Sequence, residues 1–231
     1  MTKAVLAASF AAFGMAVLAA AGTASATTCA PAAGAGSACE AAILDLRPTQ
    51  FNLGLVEVSQ RAEQLRLMSS SELVQYMKEH VAPVVIGPGG SLYILDRHHE
   101  ARALLEIGVE RMAATIMADW SGLPEGEFWK RMENRRWVWL FDEGHGPLSP
   151  AALPQTVLQM TDDPYRSLAR EVRKAGGFAK SPLPFAEFRW ADYFRPRVPT
   201  AELRGDFEKA VAAAAALAHD PAAKDLPGYI P

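Results

Sequence analysis

Asp96-Arg97-His98-His99 sets a carboxylate, a guanidinium and two imidazoles side by side, between the apolar run "LYIL" at 92–95 and an Ala/Leu-rich stretch. The run has the character of a strand and the stretch that of a helix, so the four residues fall on a strand-to-helix turn. The first N–H groups of a helix have no intrahelical partner and carry the positive end of its dipole. Such a turn suits an anion, typically phosphate or carboxylate. There Asp96 is a candidate helix cap, general base or ligand of Mg²⁺ or Mn²⁺, and His98 and His99 are candidate phosphate donors or proton shuttles. Zinc is disfavoured, because adjacent helical residues point about 100° apart and His-Glu-x-x-His would need a histidine where Ala103 stands. His80, His145 and His219 form no ligand spacing, and no Walker A, Gly-x-Ser-x-Gly or dinucleotide fingerprint occurs.

The elements that must position this turn can be read around it. "PVVIGPGGSLYIL" predicts a hairpin about Gly87-Pro88-Gly89-Gly90. "RHHEARALLEIG" predicts a helix with Ala101, Leu104 and Leu105 inward and Gly108 as its stop, and "RMAATIMAD" alternates as a strand. Upstream, Ile43, Leu44 and Leu46 suggest a short strand ended by Arg47-Pro48. "SQRAEQLRLM" and "SSSELVQYMKEH" carry helical spacing, the latter with Ser70 or Ser71 as N-cap. The order strand, helix, strand, strand, helix, strand over 43–119 implies an α/β (α+β) core with a mixed sheet and packed helices.

Residues 120–231 read as a mostly helical extension packed on that core. "LPEGEFWKRMENRRW" places Phe128, Trp129 and Met132 at helical spacing after Pro124. "DDPYRSLAREVRKAGG" has Asp163 as cap, Pro164 at the first position and Gly176 or Gly177 as stop. "PFAEFRWADYFR" opens likewise, and one long Ala-rich helix closes the chain. Arg97, Arg102 and Arg166 are the candidate anion-binding side chains. Glu187, Arg189 and Asp192 read as an internal salt-bridge set around Trp190. Trp129, Trp137, Trp139 and Trp190 read as core or subdomain interface, since base stacking would need a basic face.

The 231-residue chain has a formal charge of −3, which argues against broad binding to a phosphate backbone. Its first 26 residues have Lys3, an apolar run and "ASA", the pattern of a cleaved export signal, so a periplasmic or secreted protein without stable membrane insertion is expected. The Ala/Gly/Pro-rich residues 27–42 read as a linker. Cys29 and Cys39 are the only cysteines; in an oxidising compartment they are expected to close a small disulfide loop with little effect on the core.

"LRPTQFNLGLVEV", "ELVQYMKEHVAPVVIGPGGSLYILDRHHEARALLEIG" and "ATIMADW" together resemble the layout of the ParB/sulfiredoxin superfamily. With "DDPYRSL", "GGFAK" and "PFAEFRWADYFR", residues 43–197 look most like the ParB-like nuclease family of bacterial proteins. "DRHHEARALLEIGV" is similar to the Asp-Gly-His-His-Arg signature of free serine kinases. That resemblance implies that Asp96 and Glu57, in "LVEV", act on a hydroxyl or a metal, with His98 and His99 on phosphate. Arg97 departs from the signature glycine, and Glu100 places an anion where the signature has arginine. The turn lacks the sulfiredoxin cysteine, and no DNA-reading domain like that of chromosome-partitioning ParB is evident. The resemblance implies a phosphoester-directed enzyme, with nuclease as the family reading. A small-molecule kinase and a non-catalytic anion or nucleotide binder are the alternatives. The expected partner is a small phosphorylated ligand or a nucleic acid.

Overall fold

The computed structural model describes residues 28–30 and 34–231; the leader at 1–26 lies outside the described residues. The chain folds as a mixed α/β structure. Its strands and helices run β1 (Ala38–Ala42), β2 (Leu46–Pro48), β3 (Asn52–Leu53), α1 (Leu55–Arg66), α2 (Ser70–Glu79), β4 (Ala82–Ile86), β5 (Leu92–Ile94), α3 (His98–Glu106), β6 (Arg111–Asp119), α4 (Glu125–Asn134), β7 (Thr161–Asp162), α5 (Pro164–Lys174), α6 (Ala186–Phe194), α7 (Thr200–Gly205) and α8 (Phe207–Ala218). The main sheet has the order β1-β6-β4-β5-β2, and β3 pairs with β7 in a second small sheet. β4 runs antiparallel to β5 and parallel to β6.

Val84, Val85 and Ile86 are all fully buried because β4 is central and both its faces are covered. Val84 and Ile86 pack with Val58, Ala62, Ala101 and Leu104 of α1 and α3. Val85 joins Tyr93, Phe128 and Met132 on the opposite face, under α4. A third cluster, including Leu168, Val172, Trp190 and Phe194, holds α5 to α8 together.

The hairpin, the α3 helix with its stop at Gly108 (φ +82°), and α5 with Asp163 as N-cap stand where residue patterns place them. Four readings change. Ala38–Ala42, within the supposed linker, is an edge strand antiparallel to β6. Its buried side chains are small, which gave it a linker's composition. Cys29 and Cys39 form the expected disulfide, with Cα atoms 5.0 Å apart, but it is no peripheral loop: Cys39 lies in β1 and both cysteines are buried in the core. The α2 cap is Ser69, in a reciprocal capping box with Glu72. The supposed single C-terminal helix breaks at Asp206, whose side chain caps the Lys209 N–H and restarts it as α8.

Candidate functional site

Arg97 opens α3 with φ +70° and ψ +20°, a left-handed conformation that costs most L residues about 1–2 kcal/mol. This is the position where the signature turn carries glycine, which adopts it freely. Arg97→Gly is therefore expected to leave stability within about 1 kcal/mol of wild type. Relief of strain offsets the added freedom of the unfolded chain and the loss of the partly exposed Arg97 from the buried Glu100 at 3.5 Å, which keeps Arg61 at 3.4 Å. A urea melt showing a loss above about 3 kcal/mol would contradict this reading of the turn.

The turn aims its side chains in different directions. Asp96 is exposed and does not cap α3; its Oδ1 accepts from the Arg97 N–H at 2.7 Å. His98 and His99 are buried. The Thr49 N–H donates to His98 Nε2 at 3.2 Å, and the Gly54 N–H donates to His99 Nε2 at 3.0 Å. An Nε2 that accepts from a main-chain N–H must carry a lone pair, so both rings are neutral, with the proton on Nδ1. Burial drives both pKa values down, to about 4 for His98, where Asp96 opposes the shift, and about 3 for His99, where Glu57 opposes it. The imidazoles thus serve first as joints, tying the start of α3 to the segment that enters α1.

Glu57, in the first turn of α1, is buried, and each of its oxygens faces cations. Oε1 lies 3.0 Å from Arg61 Nη2 and 3.2 Å from Arg170 Nε; Oε2 lies 3.3 Å from Arg166 Nη1. The His99 ring is 3.6 Å away, but being neutral it adds no ion pair. Burial alone would raise the Glu57 carboxyl, yet His99, which gains a proton only at the acid pH where this carboxyl titrates, and the permanent charges of Arg166, Arg170 and Arg61 hold it at about 2. α1 and α5 approach closely because residue 54 is glycine: a Cβ there would stand 2.4 Å from Ser167 Oγ and 2.8 Å from its backbone nitrogen. Glu57 and Asp96 therefore make no shared metal site. Glu57 is saturated by arginines that would repel a cation, and no group of three His, Cys, Asp or Glu suited to a metal occurs among the described residues. Glu100 is buried and turned to Arg61 and Arg97, so it does not stand in a phosphate's path. Arg102 points away from the turn, donating to the carbonyls of Val157 and Leu158, and is not an anion ligand of this site.

A pocket of about 460 Å³ opens over the turn. Asp96, His98 and His99 line one side, and Arg166 reaches it from α5, with its guanidinium 5.4 Å from the Phe188 ring centre. Arg136 and Trp137 enter after α4, and the segment from Lys180 to Phe185 forms the far wall. Glu187 also lines it, but its carboxylate pairs with Arg173 at 3.0 Å. Among the described residues Arg136 and Lys180 have no ion-pair partner. Among the described residues four non-glycine residues have positive φ; Arg136 (+55°) and Phe185 (+59°) line the pocket and Arg97 adjoins it. Such strain gathers where surrounding structure holds a site in shape.

Lys180 and Arg136 were not predicted as site residues. Lys180 lies in "GGFAK", a string that carries family resemblance but no chemical motif; Arg136 follows a helix end and has no pattern of its own. The supposed Glu187-Arg189-Asp192 set is not internal: Glu187 pairs with Arg173, Asp192 with His145 at 2.8 Å, and Arg189 lies 5.9 Å from the Trp139 ring. Trp190 is fully buried, its indole N–H donating to the Pro227 carbonyl, whereas Trp137 faces the pocket.

The profile of the family described as "Putative ParB-like nuclease" matches residues 39–196. The crystal structure of protein Atu1540 from Agrobacterium tumefaciens is similar at 36% identity and a TM-score of 0.78, over 84% of this chain and 97% of that one. A C-terminally truncated chromosome-partitioning protein ParB from Caulobacter crescentus, solved with CTP-gamma-S, aligns at 14% identity and a TM-score of 0.27, over 78% of this chain and 93% of that one. No curated protein matches the chain.

Proposed function

The chain belongs to the ParB-like nuclease family, and from that premise we propose that it binds a phosphorylated small molecule in the pocket over the 96–99 turn. One observation carries the proposal: Arg136, Arg166 and Lys180, from three separate segments, line a single pocket beside Trp137, Phe185 and Phe188. The cations suit a phosphate and the rings suit a flat apolar group, so a nucleotide has both halves of the match. The volume lies within the range of small-molecule sites.

A second reading, cleavage of the bound phosphoester, is favoured by Asp96. Its carboxylate is exposed at the pocket and has no ion-pair partner among the described residues. A carboxylate so placed can take the proton of an attacking water. The imidazoles support this less, since their Nε2 lone pairs are engaged, and a kinase would need Glu57 free of its arginines. The export pattern of residues 1–26 supports placing the activity outside the cytoplasm, and the Cys29–Cys39 disulfide is compatible with an oxidising compartment.

Calorimetric titration with pyrophosphate and with nucleoside mono-, di- and triphosphates tests the reading. Lys180→Ala and Arg136→Ala are each expected to weaken binding at least about tenfold, or about 1.4 kcal/mol, without lowering thermal stability. Asp96→Asn should keep binding and abolish any hydrolysis of bis(4-nitrophenyl) phosphate. Absence of saturable binding to every one of these anions, or variants that bind like wild type, would sink it.

A further inference from the structure

The far wall of the pocket is one stretch of six residues, Lys180-Ser181-Pro182-Leu183-Pro184-Phe185. Among the described residues no main-chain hydrogen bond joins 180–184 to the rest of the protein; the stretch has only an internal bond from the Leu183 N–H to Ser181 Oγ. Its position is therefore set at its ends. At the downstream end the Arg189 N–H donates to the Phe185 carbonyl at 3.2 Å. At the upstream end the anchor comes from the last residues of the chain. The Ala179 N–H donates to the Gly228 carbonyl at 2.7 Å, and Phe178 bridges antiparallel to Tyr229.

That tail is itself pinned. Trp190 donates its indole N–H to the Pro227 carbonyl at 2.8 Å, and the Tyr229 hydroxyl donates to the His219 carbonyl at 3.1 Å. Phe178, next to the anchored residue, stacks on Trp190 with ring centres 4.2 Å apart. Gly228 has φ +77°, and a Cβ there would stand 2.0 Å from the Ala179 carbonyl oxygen. Only glycine allows the tail to lie this close.

We propose that the C-terminal tail, Pro227–Tyr229, is a positioning element of the pocket, with Gly228 as its key residue. By holding Ala179 it places Lys180, the next residue, and keeps the Pro-containing wall closed over the bound anion. The proposal rests on the anion-site reading of the pocket and adds to it a segment outside the family-matched residues 39–196.

Gly228→Ala is the test, with Gly122→Ala, where a Cβ meets nothing within 4 Å, as control. Amide hydrogen exchange at Ala179, which donates to the Gly228 carbonyl, and at Leu183, which donates to Ser181 Oγ, should accelerate at least tenfold in Gly228→Ala while the β4 and β6 amides keep their wild-type rates. Trypsin should cut after Lys180 correspondingly faster. Pyrophosphate affinity should fall at least tenfold, and Lys180→Ala should add little to that loss in the double variant. Unchanged exchange at Ala179 and Leu183 with unchanged trypsin cleavage after Lys180, or an equal acceleration throughout the protein, overturns the proposal. If Gly228→Ala fails to fold, a chain ending at Leu226 makes the same comparison. If wild-type protein binds no pyrophosphate, the anion-site reading fails, and the exchange comparison still decides whether the tail positions the wall.

Discussion

Replacing Glu57 with alanine is expected to cost about 3–5 kcal/mol of folding stability, the usual cost of removing one partner from a buried ion-pair network. The carboxylate is the shared counter-charge of Arg61, Arg166 and Arg170, which are themselves largely buried. Its loss leaves one of the three, Arg166, without a counter-charge in a poorly solvated place; Arg61 keeps Glu100 at 3.4 Å, and Arg170 keeps Glu171. Arg166 is the worst placed, with no other ion-pair partner among the described residues and a buried Nε that already lacks a hydrogen bond there. A catalytic carboxylate behaves in the opposite way, because removing it abolishes turnover while stability holds or rises. Urea melts of Glu57→Ala and Glu57→Gln separate the two roles. Gln keeps the shape and loses the charge, so it should be destabilised too, though less. A Glu57→Gln protein as stable as wild type would mean that the carboxylate serves chemistry and not architecture.

The second large effect is acid destabilisation through the two buried histidines. Each has a folded pKa, about 4 for His98 and about 3 for His99, below the ordinary 6.5. The unfolded chain therefore takes up protons first as the pH falls. The stability linked to each ring is fully present above pH 6.5 and is lost progressively down to pH 4 and pH 3. At pH 4.5 the two together have lost about 5 kcal/mol, from 1.36 kcal/mol per pH unit and group. That is a large share of a typical total stability of about 5–15 kcal/mol. Glu57, depressed from 4.5 to about 2, removes further stability below pH 4.5, in the same direction. Guanidinium melts at pH 7, 6, 5 and 4.5 should give a steep fall beginning near 6.5. In a His98→Gln/His99→Gln protein, whose amide oxygens imitate the Nε2 acceptors, the slope between pH 6.5 and 4.5 should largely disappear. A wild-type protein equally stable at pH 7 and 4.5 would place these rings in contact with water or already charged.

The histidine pair also shows what a sequence carries and what it leaves out. "DRHH" marks the strand-to-helix turn because the apolar run before it and the Ala/Leu spacing after it are local patterns, and the turn is where those patterns place it. The direction of each side chain is not local. His98 turns to Thr49 and His99 to Gly54, both about half a hundred residues upstream, and those partners convert apparent acid–base groups into joints. Glu57 could be matched to the turn through a family layout, but its ion pair with Arg166 spans 109 positions and no periodicity announces it. Asp163 illustrates the opposite case: Asp-Pro at a helix start declares a cap, and the Asp163 side chain accepts from the Tyr165 N–H at 3.0 Å. Its neighbour Asp162 does something the pattern hides, accepting from the Leu55 N–H and so capping α1 from the other half of the chain. The edge strand β1 was concealed by composition, since its alanines and Cys39 resemble a linker until β6 is beside them. The pocket wall at 180–185 has neither period nor cap, so only the three-dimensional arrangement brings Lys180 to Arg166.

The central claim is that Arg136, Arg166 and Lys180 form one anion site over the 96–99 turn. Crystals soaked in tungstate, a phosphate analogue visible by its anomalous scattering, address it directly. An anomalous peak in the pocket within hydrogen-bonding distance of Arg166 and Lys180, absent in Lys180→Ala crystals, is the predicted result. A pocket that stays empty while tungstate binds elsewhere on the surface would contradict the account.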